Sequence, residues 1–116
     1  MNTKELVTLI TKTLDDNKAI DITEIDVTNL TDVTDTMIVC SGSSSRHVNA
    51  LGDRLREALR EHGHKPLSVQ GEDTNEWILI DAADAVVHIM LPATREFYDI
   101  ERLWSITSER RQSSED

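Results

Sequence analysis

The sequence predicts a single α/β domain, on the border of the α+β class, in which three helices pack on one mixed sheet of five strands. Three segments carry apolar residues at helical spacing, and five short apolar runs of strand length lie between the first and the last of them. The length of 116 residues suits one domain, which hides roughly two-thirds of its unfolded surface. We expect the domain to occupy residues 1–106 and the polar residues 107–116 to be a disordered tail.

The first half of the chain predicts a helix, two strands and a second helix. Apolar residues at helical spacing indicate a first helix over residues 3–17, with Thr3 as its N-cap. The first strand is expected at residues 25–27 and the second at residues 37–40, where the run is apolar enough to be buried. The second helix is expected over residues 45–62, because its apolar residues fall on one face and charged residues cover the other.

The second half predicts three strands and a last helix. Residues 66–69 form a weak strand, whereas residues 77–80 and 85–90 form two stronger ones. The linker between these two, residues 81–84, is short enough to close a hairpin. Thr94 is expected to cap the last helix. The predicted apolar face of that helix consists of Phe97, Ile100, Leu103 and Trp104.

The register of the hairpin decides which of its side chains share a face. With the turn at residues 81–84, Trp77 is opposed to His88, and opposed residues point to the same side of a sheet. One predicted face is aliphatic and must be core: Ile78, Ile80, Ala85, Val87 and Ile89. The other, called here the Trp77 face, consists of Trp77, Leu79, Val86, His88 and Met90. Since Trp and Met are enriched at protein interfaces, this face is either a binding surface or is covered by a helix.

The composition is acidic, with 22 Asp and Glu against 12 Lys and Arg and a net charge of −10. Because phosphate contacts require Lys and Arg, we expect no sequence-specific nucleic-acid binding, and the charge favours basic partners or solubility. No apolar run approaches the ~20 residues of a membrane span, and the N-terminus lacks a signal-peptide pattern. We therefore expect a cytoplasmic protein without membrane association. The single cysteine, Cys40, excludes an intrachain disulfide and a multi-cysteine metal site.

The serine-rich residues 41–45, between a strand and a helix, are the segment that most resembles a catalytic motif. Backbone N–H groups there could hold an anion, but the lysine of a phosphate-binding loop is missing. A nucleotidyltransferase also needs paired carboxylates for Mg²⁺ on the next strand, and residues 66–70 have none. We therefore interpret the serines as a helix cap, and we expect no catalytic residue, no metal and no cofactor.

Arg95 is placed against its local preference, because a cation near the start of a helix opposes the helix dipole. Such a placement indicates either a specific contact or a surface pairing with Glu96 or Asp99.

Several segments resemble the Iojap-like ribosomal silencing factor family, and the similarity runs from about Asp26 to Trp104. They are residues 41–48, Glu72, residues 77–81, residues 84–90 and, most specific of all, residues 95–104 (REFYDIERLW). The resemblance implies a mixed sheet with nucleotidyltransferase-like topology that lacks the catalytic carboxylates, and hence a protein that is not an enzyme. One departure is the hairpin turn, where the family usually has Gly and this chain has Ala82–Ala83.

The resemblance implies a translational repressor. Members of the family bind the large ribosomal subunit through its protein fourteen and sterically block joining of the small subunit, which reduces translation in starvation or stationary phase. Organellar relatives act in large-subunit assembly, and free members are often homodimers. For this chain, the resemblance implies that the acidic residues 72–84 meet basic groups and that seven residues contact the partner: Trp77, Leu79, His88, Met90, Pro92, Arg95 and Tyr98. Trp77 is expected to dominate, at about 2–4 kcal/mol on truncation to Ala.

Two alternatives of other classes remain open from the residues alone. A nucleotidyltransferase-like enzyme that uses the serine-rich turn would bind a nucleotide with Mg²⁺ and lose activity in the Ser43→Ala variant. A dimerisation module would bind itself and no ribosome.

Overall fold

The computed structural model describes residues 1–102, which form the predicted mixed sheet with three helices in the predicted order. The expected fold class is therefore confirmed. The tail and the predicted helix residues Leu103 and Trp104 lie outside the described residues. The elements are α1 (Thr3–Asp16), β1 (Ile20–Asp26), β2 (Thr36–Ser41), α2 (Ser45–Glu61), β3 (Ser68–Gln70), β4 (Trp77–Asp81), β5 (Ala85–Met90) and α3 (Pro92–Tyr98).

The sheet has the strand order β1-β2-β5-β4-β3. Its central pair, β2 and β5, is parallel, and the other three pairs are antiparallel. The chain reaches the parallel partner after α2, β3 and β4, because a parallel connection must cross over the sheet. The central strands are accordingly the most buried, with every residue of β2 from Met37 to Ser41 buried.

The main core lies between the sheet and the helices α1 and α2. The predicted aliphatic face of the β4–β5 hairpin is buried there, which confirms that part of the prediction. The helices contribute one apolar stripe each, at the helical spacing visible in the sequence. These stripes are Leu6, Ile10 and Leu14 of α1 and Val48, Leu51, Leu55 and Leu59 of α2.

The β4–β5 hairpin has the predicted faces, but its predicted register is wrong by two residues. Trp77 pairs with Met90 rather than with His88. The turn is tighter than expected, because the Ala82 N–H donates to the Ala85 carbonyl at 2.9 Å. A shift of two residues leaves every side chain on the same side of the sheet, so the composition of both faces is unchanged.

Ala83 is the first central residue of this turn and has a φ of 71°. Two-residue hairpin turns with a positive φ at this position favour glycine, because a Cβ is strained there. The turn at which the chain departs from the family pattern therefore keeps the backbone conformation that a glycine would adopt.

Two predicted helix caps are wrong. α1 is capped by Asn2 rather than Thr3, since the Asn2 side chain accepts a hydrogen bond from the Glu5 N–H at 2.8 Å. α3 begins at Pro92 rather than after Thr94, without a side-chain cap. Proline suits the first helical position because its fixed φ is helical and no N–H is needed there.

Two strands differ from the prediction by more than one residue at an end. β1 starts at Ile20, five residues before the expected strand. The sequence pattern did not reveal this start, because an irregularity between Ile20 and Thr23 interrupts the alternation of side chains. β3 starts at Ser68 rather than Pro66, which has no N–H to donate to a neighbouring strand. Within residues 1–102, no helix is both long enough and apolar enough to cross a membrane.

Candidate docking surface

The Trp77 face is covered at one end by the chain itself. A second core lies there, made of Val27, Met37, Val39 and Met90. Ile25, Leu30, Trp77 and Ile100 pack against it and stay partly exposed. The cover comes from the loop after β1 and from the chain after α3, and not from either long helix.

An exposed aromatic patch borders this second core. The ring centroids of Trp77 and Tyr98 lie 4.9 Å apart, and those of Tyr98 and Phe97 lie 5.0 Å apart. Phe97 is 80% exposed and Tyr98 is 55% exposed, whereas Trp77 is half-buried. We call these three residues the aromatic patch. Rigid aromatic side chains that stay in water on a folded domain indicate a binding surface, because they gain apolar burial when a partner covers them.

A shallow depression of about 330 Å³ continues the patch across the edge of the sheet. It is lined by Gln70, Gly71, Trp77 and Leu79. The depression and the aromatic patch together give a partner both a recess and a raised apolar surface.

His88 supports the patch from below. The Trp77 Nε1–H donates to His88 Nδ1 at 2.9 Å, and the two rings lie 5.7 Å apart. His88 is 6% exposed, and burial lowers its pKa to about 4. The imidazole is therefore neutral near pH 7, with Nδ1 accepting and Nε2 carrying the proton. This hydrogen bond fixes the orientation of the Trp77 indole.

Arg95 makes a specific contact inside the chain, and the predicted surface pairing with Glu96 or Asp99 is wrong. Its guanidinium donates to both carboxylate oxygens of Glu101, at 2.6 and 3.1 Å. The side chain is 13% exposed. The hydrogen bond to Glu101 raises the pKa of Arg95, so the guanidinium stays charged.

The same guanidinium also reaches the far edge of the sheet. It donates to the hydroxyls of Ser41 and Thr23, at 3.1 and 3.2 Å, and to the Ile20 carbonyl at 3.3 Å.

The seven residues expected at the interface fall into two groups. Trp77 and Leu79 are half-buried and Pro92 and Tyr98 are exposed, so these four are accessible to a partner. The side chains of the other three are more deeply buried: His88, Met90 and Arg95.

Sequence reasoning missed Phe97. It was expected on the buried face of the last helix, yet it is the most exposed large apolar residue of the described chain. The reason is that Asp99 takes a left-handed φ of 46° and ends α3, so Ile100 turns into the second core while Phe97 stays outside. The adjacency of Phe97 and Tyr98 was a signal of exposure, because two neighbouring residues of a helix cannot both lie on its buried face.

The serine-rich turn is used locally, as expected for a helix cap. Ser44 caps α2 by accepting a hydrogen bond from the His47 N–H at 3.1 Å. The Ser43 N–H donates to His47 Nδ1 at 2.9 Å, so this backbone donor is already occupied. Within the described residues, no group of three or more His, Cys, Asp or Glu side chains is arranged to hold a metal ion.

The fold and the patch define a small mixed α/β domain with an exposed aromatic surface of the kind that protein-binding modules present. A family model described as "Ribosomal silencing factor during starvation" matches residues 1–116. The chain belongs to this ribosomal silencing factor family, which confirms the family expected from its motifs.

Curated relatives agree with this assignment. "Ribosomal silencing factor RsfS" of Chromobacterium violaceum is 43% identical over 104 residues, which cover 90% of this chain and 85% of the relative. The mouse protein named "Mitochondrial assembly of ribosomal large subunit protein 1" is 30% identical over 105 residues, which cover 88% of this chain and 46% of the relative. The maize relative is named "Protein Iojap, chloroplastic" and is 34% identical over 98 residues, which cover 82% of this chain and 41% of that protein.

Solved structures share the fold. The crystal structure of a Chromobacterium violaceum protein has a TM-score of 0.89 and 43% identity, covering 90% of this chain and 88% of that one. A Bacillus halodurans crystal structure has a TM-score of 0.80 and 30% identity, with coverages of 87% and 94%.

Proposed function

We propose that this protein binds the large ribosomal subunit through ribosomal protein fourteen and sterically blocks joining of the small subunit. Occupation of the joining face reduces translation in starvation or stationary phase. Membership of the silencing factor family supports the ribosomal role, and the exposed aromatic patch is the observation that carries the docking mechanism. A role in large-subunit assembly is the second candidate, favoured by the name of the mouse relative.

The contact surface in this proposal is the aromatic patch with Leu79 and Pro92. Exposed aromatic side chains next to a recess are typical binding hot spots, because a partner desolvates them fully. His88, Met90 and Arg95 form the layer beneath and act through the patch. Acidic side chains of the loop before β4 border the patch and suit a basic ribosomal protein. They are Asp73 and Glu76, both exposed. Glu72, which was also expected to meet basic groups, instead accepts a hydrogen bond from Arg56 of α2 at 2.7 Å.

The proposed mechanism involves no chemical step. The protein acts by occupying a surface in the cytoplasm, without catalysis and without a cofactor, and the free protein forms a homodimer. The engagement of Ser43 and Ser44 with His47 counts against the alternative nucleotidyltransferase, because those groups cap α2 instead of cradling a phosphate.

Cosedimentation with purified large ribosomal subunits tests the proposal, followed by addition of small subunits. The test variant is Tyr98→Ala, because Tyr98 is 55% exposed and its loss leaves both cores filled. Leu67→Ala is the matched control, since Leu67 is 71% exposed beside the other end of β4, where its N–H donates to the Asp81 carbonyl. Trp77→Ala is less suited, because it removes the donor to His88 and part of the packing on Met90.

We expect the wild type and Leu67→Ala to pellet with large subunits and to lower the fraction of joined ribosomes. Tyr98→Ala should bind at least ten times more weakly, as expected for an interface aromatic of about 1.4 kcal/mol or more. Equal binding by all three proteins would contradict the assigned surface. A wild type that binds no large subunits would contradict the function.

A further inference from the structure

α3 lacks the features that normally hold a helix on a domain. It has seven residues, none of them buried, and no side-chain cap at its start. A helix of this length is not stable by itself in water, so its position must come from contacts elsewhere. The aromatic residues of α3, Phe97 and Tyr98, depend on that position for their place beside Trp77.

We propose that Arg95 and Glu101 form an internal clamp that positions the aromatic patch, with Arg95 acting as a positioning residue and not as a contact to the partner. The consequence of the clamp for ribosome binding rests on the proposed function. The clamp itself is a property of the free protein and is tested separately.

The chain path closes a loop around the clamp. The Asp99 N–H donates to the Arg95 carbonyl at 2.9 Å, and the left-handed φ of Asp99 then turns the chain back. Ile100 consequently enters the second core, and Glu101 returns to the Arg95 guanidinium. The last turn of α3 and the residues after it, 95–101, therefore form a compact segment. Arg95 and Glu101 hold its two ends on the sheet, and Phe97 and Tyr98 lie on its outer side.

Arginine suits this position for geometric reasons. Nε and Nη2 donate to the two oxygens of Glu101, while Nη1 and Nη2 also donate to Ser41 and Thr23. A planar fork can make such paired hydrogen bonds, whereas the ammonium of lysine is a single point of charge. One side chain thus joins α3 to both β1 and β2, which no other hydrogen bond of α3 does among the described residues.

The pairing also makes each partner sensitive to loss of the other. Arg95 and Glu101 are 13% and 26% exposed, so removing either one leaves a largely desolvated charge without its counterion. The loop can avoid this state by moving away from the sheet. Such a movement would carry Tyr98 away from Trp77 and would leave the main core, on the opposite side of the sheet, in place.

Nuclear magnetic resonance on the full chain tests the clamp through the nuclear Overhauser contacts between the rings of Tyr98 and Trp77. The test variants are Arg95→Gln, Glu101→Gln and Arg95→Lys. Arg102→Gln is the matched control, because Arg102 is exposed in the same segment and its substitution changes the net charge by the same amount as Arg95→Gln. Urea unfolding and the Kd for large ribosomal subunits are measured on the same proteins.

We expect the three test variants to lose the Tyr98–Trp77 contacts and to bind large subunits at least tenfold more weakly, while Arg102→Gln keeps the contacts. Arg95→Lys should not restore them, since it keeps the charge without the fork. Retained ring contacts in Arg95→Gln or in Glu101→Gln would overturn the clamp, and the second variant decides if the first fails to fold. Lost contacts with unchanged subunit affinity would overturn the positioning role. If the wild type binds no subunits, the proposed function fails, and the ring contacts alone still decide the clamp.

Discussion

At the scale of single residues, His88 links the proposed binding surface to folding stability. The Trp77 indole needs an acceptor below it, and a neutral imidazole supplies one through Nδ1. Burial favours the neutral form, and the pKa of about 4 records that preference. The orientation of the Trp77 indole is therefore linked to the protonation state of the buried His88 imidazole.

This coupling predicts a loss of stability in mild acid. The unfolded chain takes up a proton on His88 near pH 6.5, but the folded protein does so only near pH 4. Since the unfolded state binds more protons in this window, the free energy of unfolding falls as the pH is lowered through it. We expect a loss of about 2 kcal/mol between pH 7.5 and pH 5 from this group alone.

Urea unfolding at the two pH values measures this loss. The His88→Gln variant is the control, because an amide can accept from Trp77 and does not titrate. The wild type should lose more stability on acidification than the variant. An equal loss in both proteins would assign the pH dependence to other groups.

At the scale of elements, the turn that leads into β4 fixes where Trp77 begins the strand. Gly71 has a φ of 92°, and a Cβ built there would lie 1.9 Å from the Trp77 carbonyl oxygen. The backbone can approach so closely only because glycine has no side chain. The position of Trp77 in the aromatic patch therefore depends on Gly71, although Gly71 has no side chain that could contact a partner.

The Gly71→Ala variant should be destabilised by about 2 kcal/mol or more, because backbone strain and a steric clash act together. Gly63→Ala is the control, since Gly63 has a similar φ of 71° but nothing within 4 Å of its added Cβ. That variant should lose only the strain of a left-handed residue, about 1 kcal/mol. Urea midpoints of the two variants measure the difference, and equal midpoints would contradict the steric argument.

Most elements could be predicted from the sequence, and the failures have local causes. Several side chains indicate each of the correctly predicted elements. These elements are the helices α1 and α2, which have apolar stripes, and the strands β2, β4 and β5, which have apolar runs. The start of β1 depends on an irregularity, the hairpin register on a turn at Ala83, and the end of α3 on one left-handed residue, Asp99. Single backbone conformations of this kind leave no periodic signal.

The sequence predicted which residues form the candidate site, but it did not predict how deeply each of them is buried. Trp77, His88 and Met90 follow from alternation along two strands, which is why the faces survive an error in register. The burial of Met90 and the exposure of Phe97 follow from how a later segment crosses the face. The local sequence pattern of either segment does not show which side chains another part of the chain will cover.

At the scale of the whole molecule, the charge is uneven with respect to the proposed binding surface. In the proposed complex, the net charge of −10 would repel ribosomal RNA in general, whereas the acidic loop beside the patch would attract a basic protein locally. Acidic side chains would therefore have opposite effects on docking according to their position.

This difference predicts the rate of association with large subunits. The Asp73→Asn/Glu76→Gln variant should associate about two- to fivefold more slowly, because the local attraction is lost. Asp15→Asn/Asp16→Asn removes the same charge from the end of α1 and should not slow association. Stopped-flow mixing at low salt measures both rates, and equal slowing would argue against local steering.

The two sides of the β4–β5 hairpin are specified by alternate residues of the same ten or so positions. Ile78 and Ile80 pack in the main core against α1 and α2, whereas Trp77 and Leu79 belong to the proposed docking surface. Substitutions at the accessible positions of the second set, such as Leu79 and Val86, would therefore change partner preference without changing the main core. Deletion of one residue in either strand would exchange the two sets and damage folding and recognition in one step. Lineages of this domain should therefore tolerate substitution in these strands far better than changes in their length.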